Sequence, residues 1–136
     1  MAKTAFIFPG QGAQYVGMAK DFYDKYEECR KIIDEADELM DFDLKAIMFE
    51  ENELINKTEY TQAAMLAAEC CILKAVELKG IKADITAGLS LGEYAALVAS
   101  GALDFADAMK LVRKRGIYME LSLIHISEPT RHLRIS

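Results

Sequence analysis

Residues 87–94 read Ala87-Gly88-Leu89-Ser90-Leu91-Gly92-Glu93-Tyr94, and Gly88 to Gly92 spell G-x-S-x-G. That pattern bends a strand into a helix so sharply that the serine hydroxyl stands exposed as a nucleophile. The flanks agree with the motif. Asp84–Leu89 (DITAGL) has strand character, and Leu91–Ser100 (LGEYAALVAS) reads as helix with Gly101 as its stop. The bland alternative is a tight turn whose glycines only solve a packing problem. A helix starting at Ser90 would also aim backbone N–H groups at a developing oxyanion, the N–H of Leu91 first.

Working outward, Lys3–Phe8 (KTAFIF) predicts a first buried strand, closed by Pro9-Gly10. The Gly10–Gly17 loop that follows sits where a second oxyanion donor is expected. A dinucleotide or phosphate loop fails on spacing, because Tyr15 occupies the position of the third glycine and no P-loop lysine follows. Apolar residues recur at helical intervals through Asp21–Met40, which predicts one or two amphipathic helices, with a further turn over Leu44–Phe49. Glu50–Thr58 reads as polar connection. Glu59–Lys79 is the strongest helix, apolar almost all round and ended at Gly80. Asp104 is placed to cap a last helix over Phe105–Met119, which carries Lys110, Arg113, Lys114 and Arg115 near its end.

Strands alternating with long helices make an α/β fold with a parallel sheet. Two strands are few for such a sheet, so the expectation is the front part of a larger fold, with an apolar sheet face and a strand edge left uncovered.

Composition narrows the function classes. The 136 residues are 52% hydrophobic and 28% charged, with a net charge of −6, which fits a globular domain and argues against a nucleic-acid binder. No run reaches the length of a membrane helix, and the N-terminus is too short in its apolar run for a signal peptide. Cys29, Cys70 and Cys71 suit neither a disulfide framework nor a zinc site, and reduced core thiols in a cytoplasmic protein are the expectation.

Four segments together carry a resemblance: FPGQGAQ at 8–14, TEYTQAAM at 58–65, GLSLGEYAALVASGAL at 88–103 and LVRKRGIYM at 111–119. In order and spacing they resemble the malonyl-CoA:acyl carrier protein transacylases of fatty-acid synthesis, with the acyltransferase domains of polyketide synthases close behind. The resemblance implies the N-terminal part of an α/β-hydrolase-like large subdomain of an acyltransferase, ending before a ferredoxin-like insert. It implies Ser90 as the nucleophile that takes malonyl from the coenzyme A thioester, and the backbone N–H groups of Gln11 and Leu91 as the oxyanion hole. It implies Arg115 as the partner of the malonyl carboxylate, which a planar guanidinium holds in two parallel hydrogen bonds. By spacing alone Arg115 is better read as one cation of a solvated helix end. Gln62 lies in the T-Q segment and is expected to line the site. The implied substrate is malonyl-CoA, the implied acceptor is acyl carrier protein, and no metal or tightly bound cofactor is implied. Two positions depart from the family pattern: Leu89 stands where many members have histidine, and Ala63 where many have proline.

The family's base is a histidine far downstream. His125 and His132 match no family motif, and both lie in Leu121–Ser136, LSLIHISEPTRHLRIS. That stretch resembles the translation of a transposase-type sequencing adapter. LSLIHISEPTR and the closing Ile135-Ser136 match its fixed codons, and His132-Leu133-Arg134 fall where a variable index would. The expectation is a partial acyltransferase domain over residues 1–120, a non-native tail over 121–136, and a polypeptide inactive by itself for want of its base. Two rivals remain at this stage. One is a serine hydrolase, since G-x-S-x-G also marks esterases. The other is a non-catalytic domain whose Lys110–Arg115 run contacts an acidic carrier protein.

Overall fold

The computed structural model describes the backbone of residues 2–135 and the side chains of residues 2–122. The elements are β1 (Ala5–Phe8), α1 (Lys20–Lys25), α2 (Glu27–Leu39), α3 (Leu44–Phe49), a 3-10 turn (Leu54–Asn56), α4 (Thr58–Leu78), β2 (Ile85–Gly88), α5 (Gly92–Ala99) and α6 (Phe105–Ile135). β1 and β2 pair in parallel, with Ala5 opposite Ile85 and Phe8 opposite Gly88. This is the α/β arrangement expected from the alternation of strands and helices.

α4 is the axis of the molecule. Thr61 through Cys71 are buried without a break, because α2, α5 and α6 pack on different sides of it. A helix wrapped in this way has no need of a polar face. Its end is set by Gly80, whose φ of 78° lies in the left-handed region. α2 instead buries one stripe, Cys29, Ile33 and Ala36, and leaves its charges in solvent. The three cysteines are free and buried. Among the described residues no helix is long and apolar enough to cross a membrane.

Three expectations shift. The strands are shorter than read, because Lys3, Thr4, Asp84 and Leu89 lie outside the ladder. Leu89 still donates its N–H to the Phe8 carbonyl at 3.1 Å, which finishes the pairing just before the turn. The polar connection at 50–58 contains the 3-10 turn and buries Ile55. The last helix does not stop at Met119: its backbone runs on to Ile135, past Pro129. Its start is as expected, with Asp104 Oδ2 accepting from the N–H groups of Ala106 and Asp107. His125, His132 and the side chains of the reading for 121–136, apart from Leu121 and Ser122, lie outside the described residues.

The sheet is unfinished on one face. Phe6, Phe8 and Thr86 turn toward α5, where Thr86 Oγ1 donates to the Ala96 carbonyl. Ala5, Ile7, Ile85 and Ala87 point the other way and are exposed, Ile7 to 78%. The uncovered apolar face is the one anticipated for a sheet of two strands.

Candidate active site

The site is made where β2 turns into α5. Ser90 has φ 54°, the left-handed region that a side chain rarely enters, so the turn spends backbone strain to present this hydroxyl. The surrounding backbones allow little else. A Cβ on Gly88 would run into the backbone of Gly92 and Glu93, and one on Gly92 into the Phe8 carbonyl. Both glycines of G-x-S-x-G are therefore required by contact, and the turn is the strand-to-helix elbow rather than a loose bend.

The Pro9–Gln14 loop is pressed against this elbow. A Cβ on Gly10 would stand 2.6 Å from the Leu89 carbonyl oxygen. The loop is braced from behind: Gln11 Nε2 donates to Thr58 Oγ1 at 2.9 Å, and Gln14 Nε2 to Asn56 Oδ1 at 3.1 Å. Gln14 Oε1 also accepts from the Gly12 N–H at 2.7 Å. Among the described residues the backbone N–H groups of Gln11 and Leu91 donate no hydrogen bond. Two free donors beside an exposed serine are what an oxyanion site requires. The Leu91 side chain is fully buried and anchors the start of α5.

Arg115 reaches Ser90 from α6. Its Nη2 donates to Ser90 Oγ at 3.1 Å and its Nη1 to Gln62 Oε1 at 2.8 Å. Gly116 makes this approach possible, since α6 passes so close to the first turn of α4 that a Cβ there would stand 3.0 Å from Glu59 Cα. Gln62 is 1% exposed and satisfied at both ends, because its Nε2 donates to Met119 Sδ at 3.1 Å. The Tyr94 ring lies 5.6 Å from the Arg115 guanidinium. Ser90, Gln11, Leu91, Arg115 and Gln62 thus come together from four segments of chain.

The basic run divides in two, contrary to its reading as one solvated helix end. Lys110 and Lys114 are exposed. Arg113 turns inward, bonded to both Asp41 carboxylate oxygens at 2.8 and 3.2 Å and to the Glu59 carbonyl at 2.9 Å, with Phe42 and Tyr60 against its guanidinium. The hydrogen bond from Arg113 holds the Asp41 carboxyl below its ordinary range. Periodicity alone does not make the division, since 110 and 113, three apart, are neighbours on the helix surface; the partners around Asp41 and Glu59 draw Arg113 inward. Tyr94, Met119 and Thr58 had no role in the sequence reading, although Tyr94 stands one helical turn after Ser90.

A family model for the acyl transferase domain matches residues 5–125. The chain belongs to the acyl transferase family. The malonyl CoA-acyl carrier protein transacylase of Bacillus subtilis (strain 168) is 46% identical over 120 residues, 88% of this chain and 38% of that protein. Among solved structures, a transacylase from Streptococcus pneumoniae is 54% identical with a TM-score of 0.84, over 87% of this chain and 39% of its own. A malonyl-transacylase solved in complex with its type II polyketide acyl-carrier protein is 39% identical with a TM-score of 0.82, over 88% of this chain and 39% of its own. The acyl transferase chain described here therefore spans about two fifths of the length of these relatives.

Proposed function

We propose that the polypeptide to which this chain corresponds moves malonyl from coenzyme A to the phosphopantetheine thiol of acyl carrier protein, by way of an ester on Ser90. The observation that carries the reading is Arg115 Nη2 at 3.1 Å from Ser90 Oγ. A malonyl group esterified to that oxygen ends in a carboxylate only a methylene and a carbonyl away, within reach of the neighbouring guanidinium. An esterase acting on neutral acyl groups has no use for a cation there, which favours transfer over the hydrolase reading.

In the first step Ser90 Oγ attacks the thioester carbonyl and its proton passes to a base. Negative charge gathers on the carbonyl oxygen, facing the N–H groups of Gln11 and Leu91. The carbon–sulfur bond then breaks, and coenzyme A departs as its thiol with the proton returned from the base. In the second step the carrier thiol attacks the ester and regenerates Ser90. The family resemblance assigns the base to a histidine in the length of the relatives that this chain does not span. The route uses no metal and no tightly bound cofactor, and it runs in the cytoplasm. Fatty-acid synthesis is the proposed setting, and a polyketide-synthase acyltransferase domain is the alternative that uses the same residues.

The test is acyl loading of the complete enzyme from malonyl-CoA and acetyl-CoA, read by intact mass. Ser90→Ala abolishes loading. Arg115→Ala lowers malonyl loading about 100-fold or more while sparing acetyl, since the lost contact is a bidentate charged pair. Equal loading of both acyl groups by the unsubstituted enzyme overturns the assignment of Arg115. Carrier-protein binding that survives Ser90→Ala, needs Lys110 and Lys114, and comes without any acyl transfer supports the binding-domain reading instead.

A further inference from the structure

Two residues before Arg115, α6 carries a second arginine turned into the molecule. Only 14% of the Arg113 side chain is exposed. Its Nε and Nη2 donate to the two Asp41 carboxylate oxygens and its Nη1 to the Glu59 carbonyl, with Glu59 Oε2 standing 3.6 Å from the same nitrogen. Phe42 and Tyr60, packed edge to face at 4.9 Å, lie 4.7 and 5.4 Å from the guanidinium. The fork is thus fixed at two places outside its own helix, the loop between α2 and α3 and the first turn of α4.

Cohesion does not account for this arrangement. A desolvated ion pair gains little over apolar side chains of the same size, and a cation beside the first turn of a helix works against the helix dipole. Direction accounts for it. Ala108, Met109 and Val112 of α6 enter the core, but burial holds helices together without fixing how they slide along one another. Gly116, one turn after Arg113, lets the backbones meet at the first turn of α4 and supplies no side chain to stop a slide. Besides the Gln62 contacts of the site itself, Arg113 makes the one hydrogen bond from α6 to α4 among the described residues.

We propose that Arg113 is a positioning residue for acyl-carboxylate recognition: anchored to Asp41 and Glu59, it sets where α6 holds Arg115 against Ser90. The proposal rests on the reading of Arg115 given above. A preorganised contact tolerates a displacement of only about 0.5 Å, and Arg115 Nη2 must stay near Ser90 Oγ, 3.1 Å away. The other groups of the reaction are not on α6. Ser90 and Leu91 belong to the elbow, and Gln11 to a loop braced on α4 by Thr58. Loosening α6 therefore costs recognition of the carboxylate and leaves transfer of an uncharged acyl group in place.

The test measures acyl loading of the complete enzyme across a range of malonyl-CoA and acetyl-CoA concentrations, read by intact mass after quenching. Arg113→Met keeps the apolar stem and removes the donors. It is expected to raise the half-saturating malonyl-CoA concentration about tenfold, with the maximal rate and acetyl loading within about twofold of the unsubstituted enzyme. Arg113→Lys falls between the two, since an ammonium cannot reproduce the fork. Asp41→Asn shows the same pattern more weakly, and it carries the test if the methionine variant does not fold. In an Arg115→Ala background, Arg113→Met changes malonyl loading no further. Equal losses for malonyl and acetyl overturn the proposal, because a merely structural role slows both. A loss that persists undiminished without Arg115 also overturns it, as does unchanged malonyl loading in Arg113→Met and Asp41→Asn. Those results leave the acyl-transfer reading intact, whereas an unsubstituted enzyme that loads both acyl groups alike removes the role of Arg115 and this proposal with it.

Discussion

Gln62 and Glu69 are seven residues apart on α4, both almost wholly buried, and their fates are opposite. Gln62 sits where α4, α5 and α6 close on one another: its amide nitrogen meets Met119 and its oxygen meets Arg115, which goes on to Ser90. Glu69 sits where α4 meets the free edge of β1, and its carboxyl meets nothing among the described residues. Buried polar groups in finished structure are hydrogen-bonded, and an exception asks for a reason. Here the reason is regional. The side-chain network around Gln62 is complete in its polar contacts, and the carboxyl beside the free edge of β1 is not.

The widest gap between the two regions appears in their response to pH. With burial holding Glu69 protonated in the folded chain to about pH 8, and in the unfolded chain only to about 4.5, the unfolded state binds fewer protons throughout that window. Stability then falls as pH rises from about 4.5 to about 8, by about 1.4 kcal/mol per unit, and is flat in this respect outside it. By pH 7 the accumulated loss is about 3 kcal/mol. Urea unfolding of the chain and of Glu69→Gln across pH 4 to 9 measures the difference, in which other titrations cancel. Glu69→Gln gains on the unsubstituted chain as pH rises. Parallel curves mean that Glu69 is already paired, and the contrast with Gln62 is then lost.

Substitution of Gln62 gives the opposite sign and a smaller effect. Gln62→Leu removes the acceptor of Arg115 Nη1 and the donor to Met119, with a cost of about 1 kcal/mol for a satisfied hydrogen-bonding group. The same leucine at Glu69 removes an unanswered carboxyl and stabilises at pH 7. Two leucines on one helix, one costly and one beneficial, separate a finished polar network from an unfinished one in a single set of melts. Destabilisation by both would show that Glu69 has a partner after all.

Much of this was legible from residues alone, for identifiable reasons. The elbow was legible because steric necessity writes itself as glycine: Gly88 and Gly92 each leave a space that backbone fills. The α4 core was legible because a helix packed on several sides loses its polar face. The meeting of Gln11, Gln62 and Arg115 at Ser90 came from the resemblance, since no periodicity links segments so far apart in the chain. The inward turn of Arg113 was not legible, because Asp41, Phe42, Glu59 and Tyr60, which receive it, are distant in sequence and individually ordinary. Glu69 was hidden for the converse reason. A glutamate between Ala68 and Cys70 looks like a helix former facing solvent, and only packing shows that Glu69 itself is buried there.

The smallest effect belongs to Ile7, on the open face of β1. A large apolar residue at 78% exposure has little burial to lose, so Ile7→Thr changes unfolding free energy by less than about 0.5 kcal/mol while keeping a β-branched side chain suited to a strand. Its effect falls on association instead: an exposed apolar strand beside an unpaired edge promotes edge-to-edge pairing, and threonine weakens it. Light scattering at matched concentrations is expected to show slower growth of large species for Ile7→Thr, with unfolding curves that superimpose on those of the parent chain. A loss of a kilocalorie or more would mean that something already covers Ile7 in solution, and that the sheet half of the chain is more complete than its orphaned carboxyl implies.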